Sequence, residues 1–428
     1  MYNHYPVSES SAFRKLIWTV CLIFFSANSG TVVAKDKRSF RMDYFVKFDV
    51  EKSSAHVKIK LHQSAELVQL FRFNIGHSRY SHFKGNGKLD RERGTLSWRP
   101  PRRGGRLSYD LKIDNRRKSG RYDALITSDW AMLRGDDLIP AAYVDVGEVV
   151  PGTARLKFIL PKGWSVEAPY PRYRSGVFKI DRPDRQFDRP VGWIIAGKLG
   201  TRREKIAGTK VVVSGPIGQK VRRMDILAFL KWNLPVVRKL VKTFPDRLLI
   251  VSAGNPMWRG ALSGPRSVFL HADRPLISEN GTSTVAHELV HVATRTKAVR
   301  GADWIVEGLA EFYSLEILLR SGTITARRYE TALKKLAKWA RQAKRLDAKR
   351  SHGPITARAV GVLRAVDREI RIKTSGRKSL DDVARALSEQ RTKVSLDNFR
   401  ATAERIANSR LRSLSDERLS RKGDEFGN

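Results

Sequence analysis

Two histidines lie four residues apart in residues 283–313, which read STVAHELVHVATRTKAVRGADWIVEGLAEFY. Side chains four residues apart share one face of a helix, with Cβ atoms about 5–6 Å from each other. His287 and His291 can therefore reach the same metal ion. Glu288 projects away from His287, toward the open position of such a metal, where a carboxylate can accept a proton from water. This pattern predicts a zinc site with Glu288 as its general base.

The third ligand must come from another part of the chain. Asp303, Glu307 and Glu311 follow at once, and residues 304–320 have the apolar composition of a buried helix. A carboxylate in such surroundings is costly unless it is charge-paired or metal-bound. Two histidines, one glutamate and water form a known catalytic zinc arrangement. The alternative is a pair of core histidines that neighbouring side chains satisfy.

HELVH followed by WIVEGLAEFY resembles the gluzincin metallopeptidases, in particular the aminopeptidase N and glycyl aminopeptidase families. The resemblance implies that Glu307, in the segment E-G-x-A, is the third ligand of one zinc ion per chain. It also implies a thermolysin-like catalytic domain and hydrolysis of peptide bonds. An edge strand ahead of the metal helix would bind the substrate backbone, and the residues expected there are Ser267, Val268, Phe269 and Leu270.

The sequence departs from these families at two functional positions. Residues 259–271 contain no acidic side chain, although aminopeptidase N holds the substrate's free amine with a glutamate in this region. The tyrosine that donates to the oxyanion aligns with Thr356. The candidates for supporting the ligands or for replacing that tyrosine are Glu311, Tyr313 and His352. Exopeptidase and endopeptidase activity both stay open.

The rest of the chain predicts a multidomain α+β protein. Alternating apolar and polar residues, as in YFVKFDV at 44–50, predict an N-terminal antiparallel β-sandwich over 39–215. Helical spacing and two buried strands indicate the catalytic domain over 216–345. We expect a C-terminal helical region over 346–408 and a disordered polar tail over 409–428.

The N-terminus has the pattern of an export signal. Arg14 and Lys15 precede an apolar run at 16–27, and small residues lead to Ala34. Residues 1–34 therefore predict a signal peptide and a periplasmic or extracellular protein, the alternative being an uncleaved membrane anchor. The single cysteine, Cys21, lies within this segment. A metal in the mature chain must then be bound by histidine and carboxylate.

Positive charge is the unusual feature of the composition. The 82 Lys and Arg residues against 43 Asp and Glu leave a net charge of +39. Residues 331–350 place many of these cations around an apolar stripe, which suits contact with an anionic envelope surface; a solvated helix face is the alternative. No nucleic-acid-binding motif is present, so nucleic acid is not an expected partner. The oligomeric state is left open.

These observations favour an exported zinc metallopeptidase that acts on a peptide or protein substrate. The rival hypothesis is a non-catalytic zinc-binding relative that serves as a binding protein at the cell envelope. Glu288 favours the enzyme, because a structural site requires ligands but no base.

Overall fold

The computed structural model describes residues 39–76, 79–146, 152–181, 187–390 and 392–420. The predicted signal peptide lies outside these ranges. Within them, no helix has the length and apolar character that crossing a bilayer requires.

The N-terminal region is built from short strands joined by turns, as the alternating patterns predict. Its elements are β1 (Phe40–Asp49), β2 (Ser54–Gln63), β3 (Val68–Asn74), β4 (Tyr80–Gly85), β5 (Lys88–Glu92), β6 (Thr95–Arg99), β7 (Gly104–Lys112), β8 (Asn115–Arg116), β9 (Tyr122–Ile126), β10 (Trp130–Arg134), α1 (Gly135–Leu138), β11 (Ala142–Val146), β12 (Gly152–Ile159), β13 (Ser165–Glu167), β14 (Phe178–Ile180) and β15 (Trp193–Gly197).

These strands form more than the two sheets of a simple sandwich. The sheet orders are β14-β12-β1-β2-β7-β4, β11-β3-β6-β5 and β13-β15-β10-β9-β8. Pairing is antiparallel apart from β1 with β12. Apolar side chains from all three sheets make one core, and Tyr44, Phe71 and Trp98 are fully buried within it.

The region that follows, the candidate catalytic region, contains a mixed sheet and the helices that carry the histidines and glutamates. Its elements are β16 (Leu199–Ile206), β17 (Thr209–Pro216), α2 (Arg223–Lys239), β18 (Arg247–Ala253), β19 (Ala261–Gly264), β20 (Ser267–His271), α3 (Thr284–Thr294) and α4 (Asp303–Arg320). The sheet order is β16-β17-β18-β20-β19. Because β16 and β17 belong to this sheet, the region begins near Lys198, ahead of the predicted boundary at residue 215.

The C-terminal region is helical, as predicted. Its helices are α5 (Ala326–Ala340), α6 (Pro354–Lys373), α7 (Leu380–Glu389), α8 (Leu396–Ala407) and α9 (Asp416–Ser420). The prediction of a disordered tail from residue 409 is wrong for residues 409–420. Leu411 and Leu414 are buried in the helical core, and Glu369 accepts hydrogen bonds from the backbone N–H groups of Arg412 and Ser413. Residues 421–428 lie outside the described ranges.

Gly308 allows α4 and α6 to pack closely. A Cβ atom at this position would lie 2.6 Å from the Cβ atom of Ala359 and 3.0 Å from Cδ1 of Leu363. Gly308 follows Glu307 directly, so this contact also fixes where the Glu307 side chain begins.

We expect Gly308→Ala to lower the free energy of unfolding by about 1–3 kcal/mol, because the added methyl group forces α4 and α6 apart. The matched control is Gly361→Ala at a half-buried site in α6, where alanine is expected to be neutral or to stabilise by about 0.5–1 kcal/mol. Urea denaturation measures both changes. Equal stability of the two variants would contradict the packing argument.

Candidate metal centre

Helix α3 begins at a well-defined cap. Ser283 Oγ accepts a hydrogen bond from the N–H of Ala286 at 3.2 Å, which satisfies one of the free donors at the helix start. Arg295, with φ of 53°, ends the helix in the left-handed conformation. The apolar face of α3 is buried, as shown by Val285, Leu289 and Val290, which are at most 1% exposed. The opposite face presents His287 and His291 toward α4.

Helix α4 lies against α3 and supplies the carboxylates. Trp304, Ile305 and Leu309 are buried on its core side. Glu307 and Glu311, one turn apart, stay partly exposed with side-chain exposures of 30% and 19%. Both therefore face the histidines of α3 instead of the core.

The two imidazole nitrogens of His287 and His291 and the carboxylate group of Glu307, with both of its oxygens, form a small triangle. Nε2 of His287 lies 3.2 Å from Nε2 of His291 and 3.3 Å from Oε2 of Glu307. Nε2 of His291 lies 3.5 Å from Oε1 of Glu307. Among the described residues, these three side chains place metal-ligating atoms within 4.8 Å of one another.

This triangle fits zinc. Donors about 2.0–2.1 Å from a zinc ion at tetrahedral angles lie about 3.3–3.4 Å from each other. The three observed distances, which involve both carboxylate oxygens of Glu307, agree with that spacing to within about 0.2 Å. Two imidazole nitrogens and one carboxylate oxygen are also a donor set that zinc accepts, and they leave a fourth position open. The residues present therefore fit the metal that the sequence predicts.

Hydrogen bonds and charge control the protonation of these ligands. Burial lowers the pKa of His287, but hydrogen bonds with Glu307 and Glu311 and the nearby negative charge raise that pKa to about 10. Burial raises the pKa of Glu307, yet its hydrogen bonds with both histidines hold that pKa below its usual range. A zinc ion held here would replace the proton of His287, because a ligand imidazole must be neutral.

Glu311 contacts His287 on the side away from the triangle. Its Oε2 lies 3.0 Å from Nδ1 of His287. A carboxylate in this position holds the proton on Nδ1 and leaves the lone pair of Nε2 free for a metal. Glu311 therefore occupies the supporting position that was one of the predicted alternatives.

Glu288 lies beside the metal ligands and is bound to the sheet. Its side chain is buried, with 7% of the residue exposed. Oε2 accepts a hydrogen bond from the backbone N–H of Ser263 at 2.7 Å. This bond holds the carboxylate at the junction of α3 and β19.

The prediction of the edge strand is wrong. Ser267, Val268, Phe269 and Leu270 lie in β20, which pairs with β18 on one side and β19 on the other, so they are interior. The edge is β19, whose residues Ala261–Gly264 precede the predicted ones in the chain. β19 is only four residues long, follows Gly260 and ends at Gly264, so it shows no alternation that could have marked it.

Tyr313 does not face the metal site. Its ring is fully buried, and its hydroxyl donates to Oδ1 of Asp381 at 3.1 Å. Helix periodicity places it on the far side of α4 from Glu311. A role for Tyr313 at the oxyanion is therefore excluded in this arrangement. His352 lies exposed in the loop before α6, and its role stays a prediction.

Sequence reasoning missed two residues beside Glu288. Ser263 acts through its backbone N–H and carbonyl groups, which no pattern of side-chain types can reveal. Arg134, at the end of β10, donates from Nη1 to the backbone oxygen of Ser263 at 3.3 Å. Because 129 residues separate the two, no local motif could have linked them.

We expect Glu311→Gln to lower the zinc affinity about 10–100-fold, because the amide does not hold the proton of His287 Nδ1 as the carboxylate does. Glu316→Gln on the same helix is the control, since Glu316 pairs with Arg320 and Tyr329 instead. Competition with a chromophoric chelator measures both affinities. An unchanged affinity in Glu311→Gln would show that this contact does not support the metal.

The chain matches no family model. No curated protein sequence matches it significantly.

Solved structures match over most of the length. An aminopeptidase N family protein from Idiomarina loihiensis has a TM-score of 0.63 at 15% identity, covering 85% of this chain and 75% of its own. The M1 zinc metallopeptidase from Deinococcus radiodurans has a TM-score of 0.57 at 15% identity, covering 92% of this chain and 96% of its own. A mutant of that enzyme, bound to a Tyr-Ser-Ala substrate, also has a TM-score of 0.57, at 14% identity, covering 90% of this chain and 96% of its own. This chain therefore has the gluzincin aminopeptidase-like fold.

Proposed function

We propose that this chain is a zinc-dependent metallopeptidase that hydrolyses peptide bonds. The observation that carries the proposal is the donor triangle of His287, His291 and Glu307 with the Glu288 carboxylate beside it. A structural zinc site is usually closed by four protein ligands. Here three converge, and a buried acid that is not one of them lies where a base is needed.

In this proposal three side chains bind the metal and a fourth transfers the proton. His287, His291 and Glu307 would hold zinc, which supplies Lewis acidity toward a carbonyl oxygen and makes bound water more acidic. Glu288 accepts the proton of the attacking water on its carboxylate and returns it to the leaving amine. The N–H of Ser263 keeps that carboxylate in place, so little reorganisation is needed when the proton moves.

The edge strand β19 supplies the means to bind a peptide. His271 N–H bonds to the oxygen of Gly260, so by antiparallel alternation Gly260 and Leu262 face β20, whereas Ala261 and Ser263 face outward. An extended peptide can add to this edge through backbone hydrogen bonds at Ala261, because the outward groups of Ser263 are bonded to Glu288 and Arg134. This mode suits a peptide substrate and depends only weakly on its sequence.

The proposal includes export of the mature protein. Residues 1–34 have the pattern of a signal peptide, and Cys21 is the one cysteine of the sequence. A site of two histidines and one glutamate needs no thiolate, which suits an oxidising compartment. We place the mature protein in the periplasm or outside the cell, where anionic envelope polymers would attract its positive surface.

The test combines metal content and hydrolysis on the same samples. Zinc is measured in wild type, Glu307→Ala and Glu288→Ala, and each is incubated with a quenched peptide library. We expect one zinc per chain in wild type, and loss of zinc in Glu307→Ala. We expect Glu288→Ala to keep zinc while cleavage falls at least about 100-fold, because the proton acceptor is gone.

Glu316→Ala is the matched control on α4 and should resemble wild type. Zinc without cleavage in any sample would favour the rival hypothesis, a non-catalytic zinc-binding protein. Absence of zinc from wild type would refute the metal site itself.

A further inference from the structure

The N-terminal region places a cation against Ser263, the residue whose N–H is bonded to Glu288. Arg134 is the last residue of β10, and its side chain is 32% exposed. Its guanidinium donates to the oxygen of Ser263 and lies 5.5 Å from the centre of the Trp193 ring. Its Nη2 is 3.6 Å from where a Cβ atom on Gly264 would lie. Arg134 thus covers the C-terminal half of β19.

The charge of Arg134 is only partly balanced. Among the described residues its ion-pair partner is Asp136, at 3.5 Å. That carboxylate also accepts from the N–H of Gly192 at 2.9 Å and lies 3.9 Å from Arg189. The aspartate next to it, Asp137, is already paired with an arginine, Arg79, at 2.8 Å. Three arginines therefore face two aspartates, and Arg134 is the most exposed of the three, at 32% against 13% for Arg79 and Arg189.

Ser263 of the edge strand β19 contacts both the Glu288 carboxylate and the Arg134 guanidinium. Ser263 faces outward, its N–H bonded to Glu288 and its oxygen bonded to Arg134. Within a strand, the N–H and the oxygen of one residue point to the same side. A peptide placed along β19 with its reacting bond at Glu288 therefore has a neighbouring residue within reach of Arg134.

Strand β19 itself offers no acidic side chain to a substrate's amine, since it reads Ala261–Gly264. Of the two carboxylates described beside it, Asp136 is paired with Arg134 and Oε2 of Glu288 accepts the N–H of Ser263. An ammonium group beside Arg134 would meet a like charge, whereas a carboxylate would gain a forked, charge-assisted partner.

We propose that Arg134 forms an anion subsite, so that the preferred substrate is a peptide that presents a carboxylate next to the bond to be cleaved instead of a free amino terminus. This inference rests on the proposed peptidase function and names its substrate class. The carboxylate can come from an acidic side chain or from an acidic group on the amino terminus.

The experiment measures binding, so that it is separate from the test of hydrolysis. The probes are acetyl-Glu-Ser-Ala, acetyl-Gln-Ser-Ala, succinyl-Tyr-Ser-Ala and Tyr-Ser-Ala. Calorimetry in the presence of zinc gives their affinities for the Glu288→Gln protein, which cannot turn them over, and for the same protein with Arg134→Gln or Arg134→Glu. The control for general charge loss is Arg72→Gln, on the sheet β11-β3-β6-β5.

We expect acetyl-Glu-Ser-Ala to bind about tenfold more tightly than acetyl-Gln-Ser-Ala when Arg134 is present, because one charge-assisted contact is gained. Arg134→Gln should reduce this difference in affinity to within about twofold, and Arg134→Glu should make Tyr-Ser-Ala the preferred probe. Arg72→Gln should leave the affinities for all four probes unchanged. Tighter binding of succinyl-Tyr-Ser-Ala than of acetyl-Glu-Ser-Ala would assign the carboxylate to the amino terminus, and the reverse to the side chain.

Three results would overturn the inference: preference for Tyr-Ser-Ala with Arg134 present, an acidic preference that survives Arg134→Gln, or no binding of any probe. Thermal denaturation of each variant distinguishes lost binding from lost folding. If wild type binds zinc and acidic peptides but hydrolyses nothing, the proposed function fails and the anion subsite stands.

Discussion

The contact between α3 and α4 is the constraint on which the site depends. Two ligands come from one helix and the third from the other, and the distances that join them lie between 3.2 and 3.5 Å. A shift of one helix by a single ångström would exceed what zinc coordination tolerates. Close packing prevents that shift, since α3 is buried behind the histidines and Gly308 lets α6 support α4 from behind.

Around this helix pair, distant parts of the chain converge on the short strand β19. Glu288 binds the N–H of Ser263, Arg134 binds its oxygen, and the indole of Trp193 donates to the oxygen of Leu262 at 2.8 Å. The strand is thus held by a helix on one side and by the N-terminal region on the other. These contacts fix the position of the strand within the folded chain.

The parts that sequence could predict are those with local causes. Helix spacing brings His287 and His291 together, and the apolar neighbours of Glu307 indicate that its carboxylate has a partner. The N-terminal strands could also be predicted, because the alternation of apolar and polar residues is a local pattern. The edge strand, the burial of Tyr313 and the contact of Arg134 depend on which elements meet in three dimensions. The fold of residues 409–420 depends on Glu369, which is more than forty residues away in the chain.

The sheet β13-β15-β10-β9-β8 is buried on both faces. One face packs within the N-terminal region, and the other packs against the sheet β16-β17-β18-β20-β19. Met132, Trp193 and Ile195 form one apolar core with Leu249 and Phe269 of the catalytic sheet. Removing the N-terminal region would leave that surface of the catalytic sheet exposed to water. The two regions therefore behave as one cooperative unit, and the region that carries His287, His291 and Glu307 is not expected to fold without the other.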